Sequence, residues 1–316
     1  MIGPLIHLHV GLGHPVSIIW LAALGLLVGI VAGMFGVGGG FVLTPALIYI
    51  FGIPPAFAVG SALSQKCGTS VSSIIKYRKL GTGEIRIDLV MLGGSLMGVV
   101  AGSRILRWLD SLGNVAGPGG TLFPVARFVL DLLFFCLLTY VAVHTGFEAA
   151  RARKRTHRRG DRTIPGPLAR GWRIPPYIDL PDAGLVQVSV PVLALIGLLL
   201  GLASGIMGIG GGVLLMPVLL YGYGMSVRTA AGTGLIVLFA TVALGTFEQG
   251  LHGNVSLPLA MSILLGSSVG TQIGVVATHR LPNRTLRLIF GVLVGATACL
   301  VGLDALMLGG LGHGPR

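Results

Sequence analysis

Charge is what this chain has least of. Only 10% of its 316 residues are Asp, Glu, Lys or Arg, while 53% are hydrophobic. A soluble domain covers its surface with charge, and this composition does not supply it. Acids are the scarcer sign: 10 Asp and Glu stand against 22 Lys and Arg, a formal net charge of +12. There are three cysteines, Cys67, Cys136 and Cys299, all in apolar runs and none paired at metal-ligand or redox-motif spacing. That argues against a disulfide frame or a zinc site. The histidines gather at the termini and in loops without metal spacing, so no metal and no cofactor is expected. No glycine run ends in Lys-Ser or Lys-Thr, which argues against a Walker-type loop and direct ATP hydrolysis, and no other motif in the sequence suggests an enzyme. Residues Met1 to Pro15 hold no Lys or Arg, so the n-region of a cleaved signal peptide is lacking.

What the chain does have is hydropathy and glycine. Its mean hydropathy is +0.89, and it contains 52 glycines, which favours close helix packing and broken helices in lipid. A helix needs about 20 apolar residues to cross the hydrocarbon. Runs of that kind fall at 16–35, 57–75, 87–109, 124–147, 188–207, 229–247, 256–277 and 285–308. Two shorter runs, 41–51 and 213–223, each follow a glycine cluster. At roughly 16 Å they reach about halfway across, and they read as half-helices.

The chain also repeats itself. Shifted by 172 positions, Gly25–Leu109 lies on Gly197–Leu281 without a gap, and 25 of the 85 pairs are identical, 13 of them glycine. The core of the match sets Gly-Met-Phe-Gly-Val-Gly-Gly-Gly at 33–40 on Gly-Ile-Met-Gly-Ile-Gly-Gly-Gly at 205–212. Pro45/Pro217, Tyr49/Tyr221, Gly52/Gly224 and Gly60/Gly232 continue it. Internal repetition of this kind marks duplicated units.

Basic charge sits between the apolar runs, the positive-inside pattern, rather than on a soluble face that would bind nucleic acid. The loop 148–187 carries nine arginines and lysines from Arg151 to Arg173 and is placed in the cytoplasm. Counting spans puts Lys76, Arg78, Lys79, Arg86, Arg228, Arg280, Arg284 and Arg287 on the same side. The repeat counterpart of the Lys76–Arg86 loop, 248–258, has no Lys or Arg. Equivalent loops of opposite character imply inverted units, each with an odd number of segments. The expected fold is therefore an all-α polytopic membrane protein: two inverted repeats, each of four long spans plus one glycine-broken half-helix. The boundaries are 1–147 for the first repeat, 148–187 for a flexible basic linker and 188–316 for the second repeat. The chain is expected in the cytoplasmic (inner) membrane, crossing it several times. Arg104 and Arg107 fall on the outer side, where they would snorkel to headgroups.

Irregular backbone survives in a bilayer only where protein or a water-filled cavity satisfies it. Each glycine cluster precedes a half-helix, whose start carries partial positive charge and free N–H donors. Pro45 and Pro217 are expected near those starts, where a missing N–H costs least. In inverted repeats the two starts would converge on one midplane anion site, built from Gly38, Gly39 and Gly40 and from Gly210, Gly211 and Gly212. The competing explanation is close helix packing, which suffices for Gly25, Gly29 and Gly33.

The pattern Gly-x-Gly-Gly-Gly-(x)₄-Pro, here Gly36–Pro45 and Gly208–Pro217, resembles the TauE/SafE sulfite exporter family. So do Ala58–Ser61, its counterpart Ala230–Thr233, and the basic turn Lys76–Gly81. The resemblance implies transport of a small sulfur-containing anion: sulfite, thiosulfate, sulfoacetate or an organosulfonate. It implies no direction. Gln65-Lys66-Cys67 departs from the apolar residues ordinary at that point.

Lys66 falls near the middle of its span, and its repeat partner is Leu238. A cation there must face a cavity or a partner, so it is the candidate counter-charge for an anion, the alternative being a structural Lys paired with an acid or with carbonyls. Ser61, Gln65 and Thr233 are candidate donors; Thr69 and Thr241 could equally bond their own helix carbonyls. Asp131, one turn after Arg127, is either half of an i,i+4 ion pair or a coupling carboxylate. Glu248 and Gln249 are expected solvated at a loop edge, and Gln272 either lines a pathway or bridges helices. The function expected is a secondary transporter working by alternating access, coupled to protons or sodium, with a homo-oligomer open. The alternatives are a passive anion channel, or a membrane-embedded sulfur-relay partner using Cys67.

Overall fold

A computed structural model describes residues 7–9, 15–116, 122–155, 174–180 and 185–310. Eleven helical elements organise them. They are α1 (Ile18–Phe35), α2 (Gly40–Pro45), α3 (Pro55–Lys79), α4 (Ile85–Ser111), α5 (Val125–Arg155), α6 (Val190–Met207), α7 (Gly212–Pro217), α8 (Val227–Gly232), α9 (Leu235–Leu251), α10 (Leu257–Arg280) and α11 (Asn283–Gly310). Both α2 and α7 continue as a single π turn, over Ala46–Ile50 and Val218–Gly222. Three two-stranded antiparallel ribbons accompany them: β1–β2 (His7–His9, Pro15–Ser17), β3–β4 (Asn114–Ala116, Leu122–Pro124) and β5–β6 (Tyr177–Leu180, Leu185–Ser189). Among the described residues, seven helical stretches are long and apolar enough to cross a membrane, α8 and α9 counting together as Val227–Leu251, and Gly40–Ile50 and Gly212–Gly222 are the shorter apolar helices. Large apolar side chains such as Trp20, Met97, Leu265 and Val292 stand on the outside, which is where a lipid-facing surface needs them.

Glycine sets how closely the helices pair. Gly25, Gly29 and Gly33 of α1 lie against the backbone of Ile263, Ser267 and Thr271 in α10. Gly197, Gly201 and Gly205 of α6 lie against Met91, Ser95 and Val99 in α4. Every member of the second set is the first shifted by 172 positions, with the halves exchanged. A side chain at any of these glycines would meet a backbone atom, so the duplicated glycines are the physical basis of both interfaces. In each pair the residue numbers rise together, so the helices run parallel. The repeat partners α3 and α9 cross each other in the centre, antiparallel: Gly60 and Leu63, early in α3, meet Gln249 and Gly245, late in α9. The pair α5 and α11 covers the half-helices from outside, with the Phe290 ring tilted against Phe35 and edge-on to Phe41 at centroid separations of 5.1 and 6.2 Å.

Several boundaries differ from the sequence expectation. α3 forms, but it is not among the seven apolar spans, because Ser61, Ser64, Gln65, Lys66, Thr69, Ser70, Ser72 and Ser73 dilute it. A helix packed among other helices need not be apolar. The run 229–247 is broken at Thr233–Gly234, where Gly234 takes a left-handed φ of 85°. Pro45 and Pro217 sit at the ends of α2 and α7, not at their starts; the wider π turn that follows accommodates the residue without an N–H. α5 runs on to Arg155 and β5–β6 lies within 174–189, so ordered structure enters both ends of the expected linker. Residues 156–173 lie outside the described residues.

Candidate functional site

Each long helix before a glycine cluster ends at a left-handed glycine: Gly36 with φ 63° after α1, and Gly208 with φ 66° after α6. The chain then turns back. Gly39 lies beside Val28 and Ala32 of α1, and Gly211 beside Leu200 of α6. Thus α2 and α7 return along the helices that precede them, and Leu43 and Leu47 pack in one cluster with Leu21.

The two glycine turns touch. A Cβ placed on Gly40 would lie 2.7 Å from the Ile209 carbonyl oxygen, and one on Gly212 would lie 2.5 Å from the Val37 carbonyl oxygen. Ile209 and Gly212 are the repeat counterparts of Val37 and Gly40, so the contact is nearly self-symmetric. Lys66 breaks that symmetry. It is fully buried, and it is the only buried Lys or Arg among the described residues. Its Nζ donates to the Gly208 carbonyl, and Gly40 passes directly against its ammonium group. The methyls of Leu238, its repeat partner, would lie 3.1 Å from a Cβ on Gly38 and 2.8 Å from one on Gly210. A narrow, mainly apolar cavity opens on the Leu238 side, lined in part by Gly210, Gly211, Gly212, Val237, Leu238 and Thr241. The centre is therefore polar on one side and apolar on the other.

Gln65 extends the polar side. Its Nε2 donates to Ser267 Oγ at 2.6 Å, and its buried Oε1 has no partner. The other candidate donors are engaged elsewhere. Ser61 Oγ accepts from the Ser256 amide, and Thr233 Oγ1 accepts from the Glu84 amide. These two bonds are again related by the 172 shift; each ties a helix to an interhelical turn at one end of the bundle. Thr69 and Thr241 bond carbonyls of their own helices, Lys66 and Val237. Gln272 bridges α10 to Ser72 of α3.

Asp131 stands apart from the glycine contact. It is buried and accepts from the Tyr49 hydroxyl on the π turn after α2; the Arg127 side chain lies outside the described residues. Glu248 is paired with Arg107 at 3.1 Å. Gln249 is fully buried, its Oε1 accepting from Asn254: the loop after α9 folds back over it, so the expectation of a solvated residue does not hold. Cys67 Sγ lies 3.6 Å from Thr246 Oγ1.

Sequence reasoning missed two residues. Glu84 and Asp88 are both 2% exposed, at the start of α4. Asp88 Oδ1 accepts from the Gly234 amide at 2.6 Å, across the break between α8 and α9. The signal that singled out Lys66 was available here too, since the repeat partners of Glu84 and Asp88 are the uncharged Ser256 and Ala260.

Paired glycine-packed helices and two returning half-helices, with seven stretches long and apolar enough to cross a membrane among the described residues, define a polytopic helical membrane protein. The chain belongs to the sulfite exporter TauE/SafE family, whose model matches residues 21–301. Among its relatives, the probable membrane transporter protein YunE of Bacillus subtilis is 23% identical over 290 residues, covering 90% of this chain and 96% of the relative. The probable membrane transporter protein MJ0441 of Methanocaldococcus jannaschii is 24% identical over 292 residues, covering 87% and 91%. A probable membrane transporter protein of Xylella fastidiosa (strain 9a5c) is 25% identical over 288 residues, covering 90% and 95%. No solved structure matches the chain.

Proposed function

We propose that the chain is a secondary transporter carrying a small sulfur-containing oxyanion, of the sulfite, thiosulfate, sulfoacetate or organosulfonate type, across the cytoplasmic membrane. The observation that carries this reading is Lys66 at the meeting point of the two glycine turns. A buried ammonium is costly without a counter-charge, and among the described residues no carboxylate forms an ion pair with it. An oxyanion would accept from Lys66 in place of the Gly208 carbonyl, with Gln65 beside it. The first amides of α2 and α7 also lie at this contact, at the positive ends of short helices.

The scaffold suits alternating access. Interfaces that exchange under one 172-residue shift, and repeat partners α3 and α9 that cross antiparallel, support two inverted units. Rocking of one unit against the other about the glycine contact would open Lys66 to either side in turn.

Purified protein in proteoliposomes tests this reading with labelled sulfite. Saturable uptake that becomes uphill under a proton or sodium gradient is the expected result. An ohmic, non-saturating anion current would replace the transporter with a channel.

A further inference from the structure

We propose that Glu84 and Asp88 form a proton-binding site that latches the two halves together at the end of the bundle carrying Lys76, Arg78, Lys79 and Arg86. The inference rests on the transporter reading only for its consequence, the coupling of a proton to anion movement; the site itself follows from the packing.

The two residues stand four apart at the start of α4, and both are buried. Asp88 accepts from the Gly234 amide at 2.6 Å, so a carboxylate of the first half holds the start of the 17-residue helix α9 in the second. An ionised carboxylate is favoured at a helix start. The Glu84 amide makes the adjoining bond to Thr233, while the buried Glu84 Oε2 has no partner. Two buried carboxylates within electrostatic reach of one another cannot both ionise cheaply, and one proton taken up there relieves charge that burial makes costly. Protonation that spreads to Asp88 weakens its hold on Gly234 and frees the break between α8 and α9.

The surroundings leave the pair short of positive charge. Arg78 of α3 is the cation that reaches Asp88. Arg228 of α8 donates instead to the Thr278 and Leu281 carbonyls, and Arg86 to the Asp179 carbonyl, whose own carboxylate accepts from the Gln187 amide. α6 has no titratable side chain, and the acid of α9, Glu248, is paired with Arg107 at the other end. On α5, His144 packs on the Tyr221 ring and Asp131 is bonded to Tyr49. At the opposite end of the bundle the equivalent turn offers Ser256 and Ala260, so a latch of this kind exists on one side alone. Through that asymmetry proton binding biases one gate and leaves the other untouched.

Two measurements test the site on the full chain. The first is hydrogen exchange of the segment spanning Thr233 to Leu238, corrected for intrinsic pH dependence. Wild type should lose protection at least threefold as pH falls from 8 to 5, and Asp88→Asn, which keeps an oxygen for Gly234, should not respond. Glu84→Gln, which leaves that bond intact, should shift the transition and guards against a misfolded Asp88 variant. The same pH response in both variants as in wild type overturns the site. The second is labelled sulfite accumulation in proteoliposomes under an imposed pH gradient. Asp88→Asn should exchange sulfite at equilibrium but lose gradient-driven accumulation, whereas Asp131→Asn should keep it. Unchanged accumulation in Asp88→Asn overturns the coupling role. If wild type neither exchanges nor accumulates sulfite, the sulfite reading fails, and the hydrogen-exchange arm alone decides the proton site.

Discussion

Lys66 and Gly40 constrain each other. Gly40 has no side chain because the Lys66 ammonium and the Ile209 carbonyl occupy the space a methyl would take. Gly40→Ala should therefore lower stability by about 1–3 kcal/mol despite the better helix propensity of alanine. Gly93→Ala, in a helix position with nothing near it, should be neutral or up to about 1 kcal/mol stabilising. Thermal unfolding in detergent compares the two. Lys66→Met keeps the length of the side chain and removes its charge. Sulfite binding should weaken roughly 10- to 100-fold, the worth of a hydrogen bond from a charged group, with the unfolding midpoint within a few degrees of wild type. Unchanged affinity would make Lys66 a structural residue. Lys66 could be read from the chain, because a cation inside an apolar run aligned on a leucine stands out. Its partner could not, since the Gly208 carbonyl is backbone and leaves no mark on composition.

At the scale of elements, glycine decides which helices pair. Gly201→Leu should force α6 off Ser95 of α4 and cost about 1–3 kcal/mol or more, seen as a lower unfolding midpoint and a smaller monodisperse fraction. Gly295→Leu, on α11 with open space around it, is the control and should change neither. The half-helices were legible because a glycine cluster followed by eleven apolar residues has few other outcomes in lipid. Two features were not. The break before α9 depends on Gly234 taking a left-handed turn that Asp88 stabilises from another helix, whereas the aligned Ala62 continues α3 unbroken. The π turns after Pro45 and Pro217 likewise depend on how the returning half-helix packs, so the prolines mark a junction where local rules suggest a start.

For the whole molecule, the proposed inverted arrangement makes a claim about sides. In a background with Cys67, Cys136 and Cys299 replaced by Ser, a cysteine at Thr82 should label only from the cytoplasm. One at Gly253 should label only from outside. Labelling of both from one side would remove the inverted arrangement and, with it, alternating access between equivalent units.

Composition alone made this a membrane protein, because a chain with one charged residue in ten cannot solvate a soluble surface. Self-similarity alone made it a duplicated one, and the glycine runs marked where its helices break. The rest needed the third dimension. The 172-residue shift pairs α1 with α6 on paper, yet in space α1 packs on α10 and α6 on α4, because small residues let whichever backbones meet come close. Ser61 and Thr233, equivalent in sequence and candidates for one site, turn out to tie opposite ends of the bundle. Ligand groups converge or separate according to how helices cross, and that is set by long-range packing which no local pattern encodes.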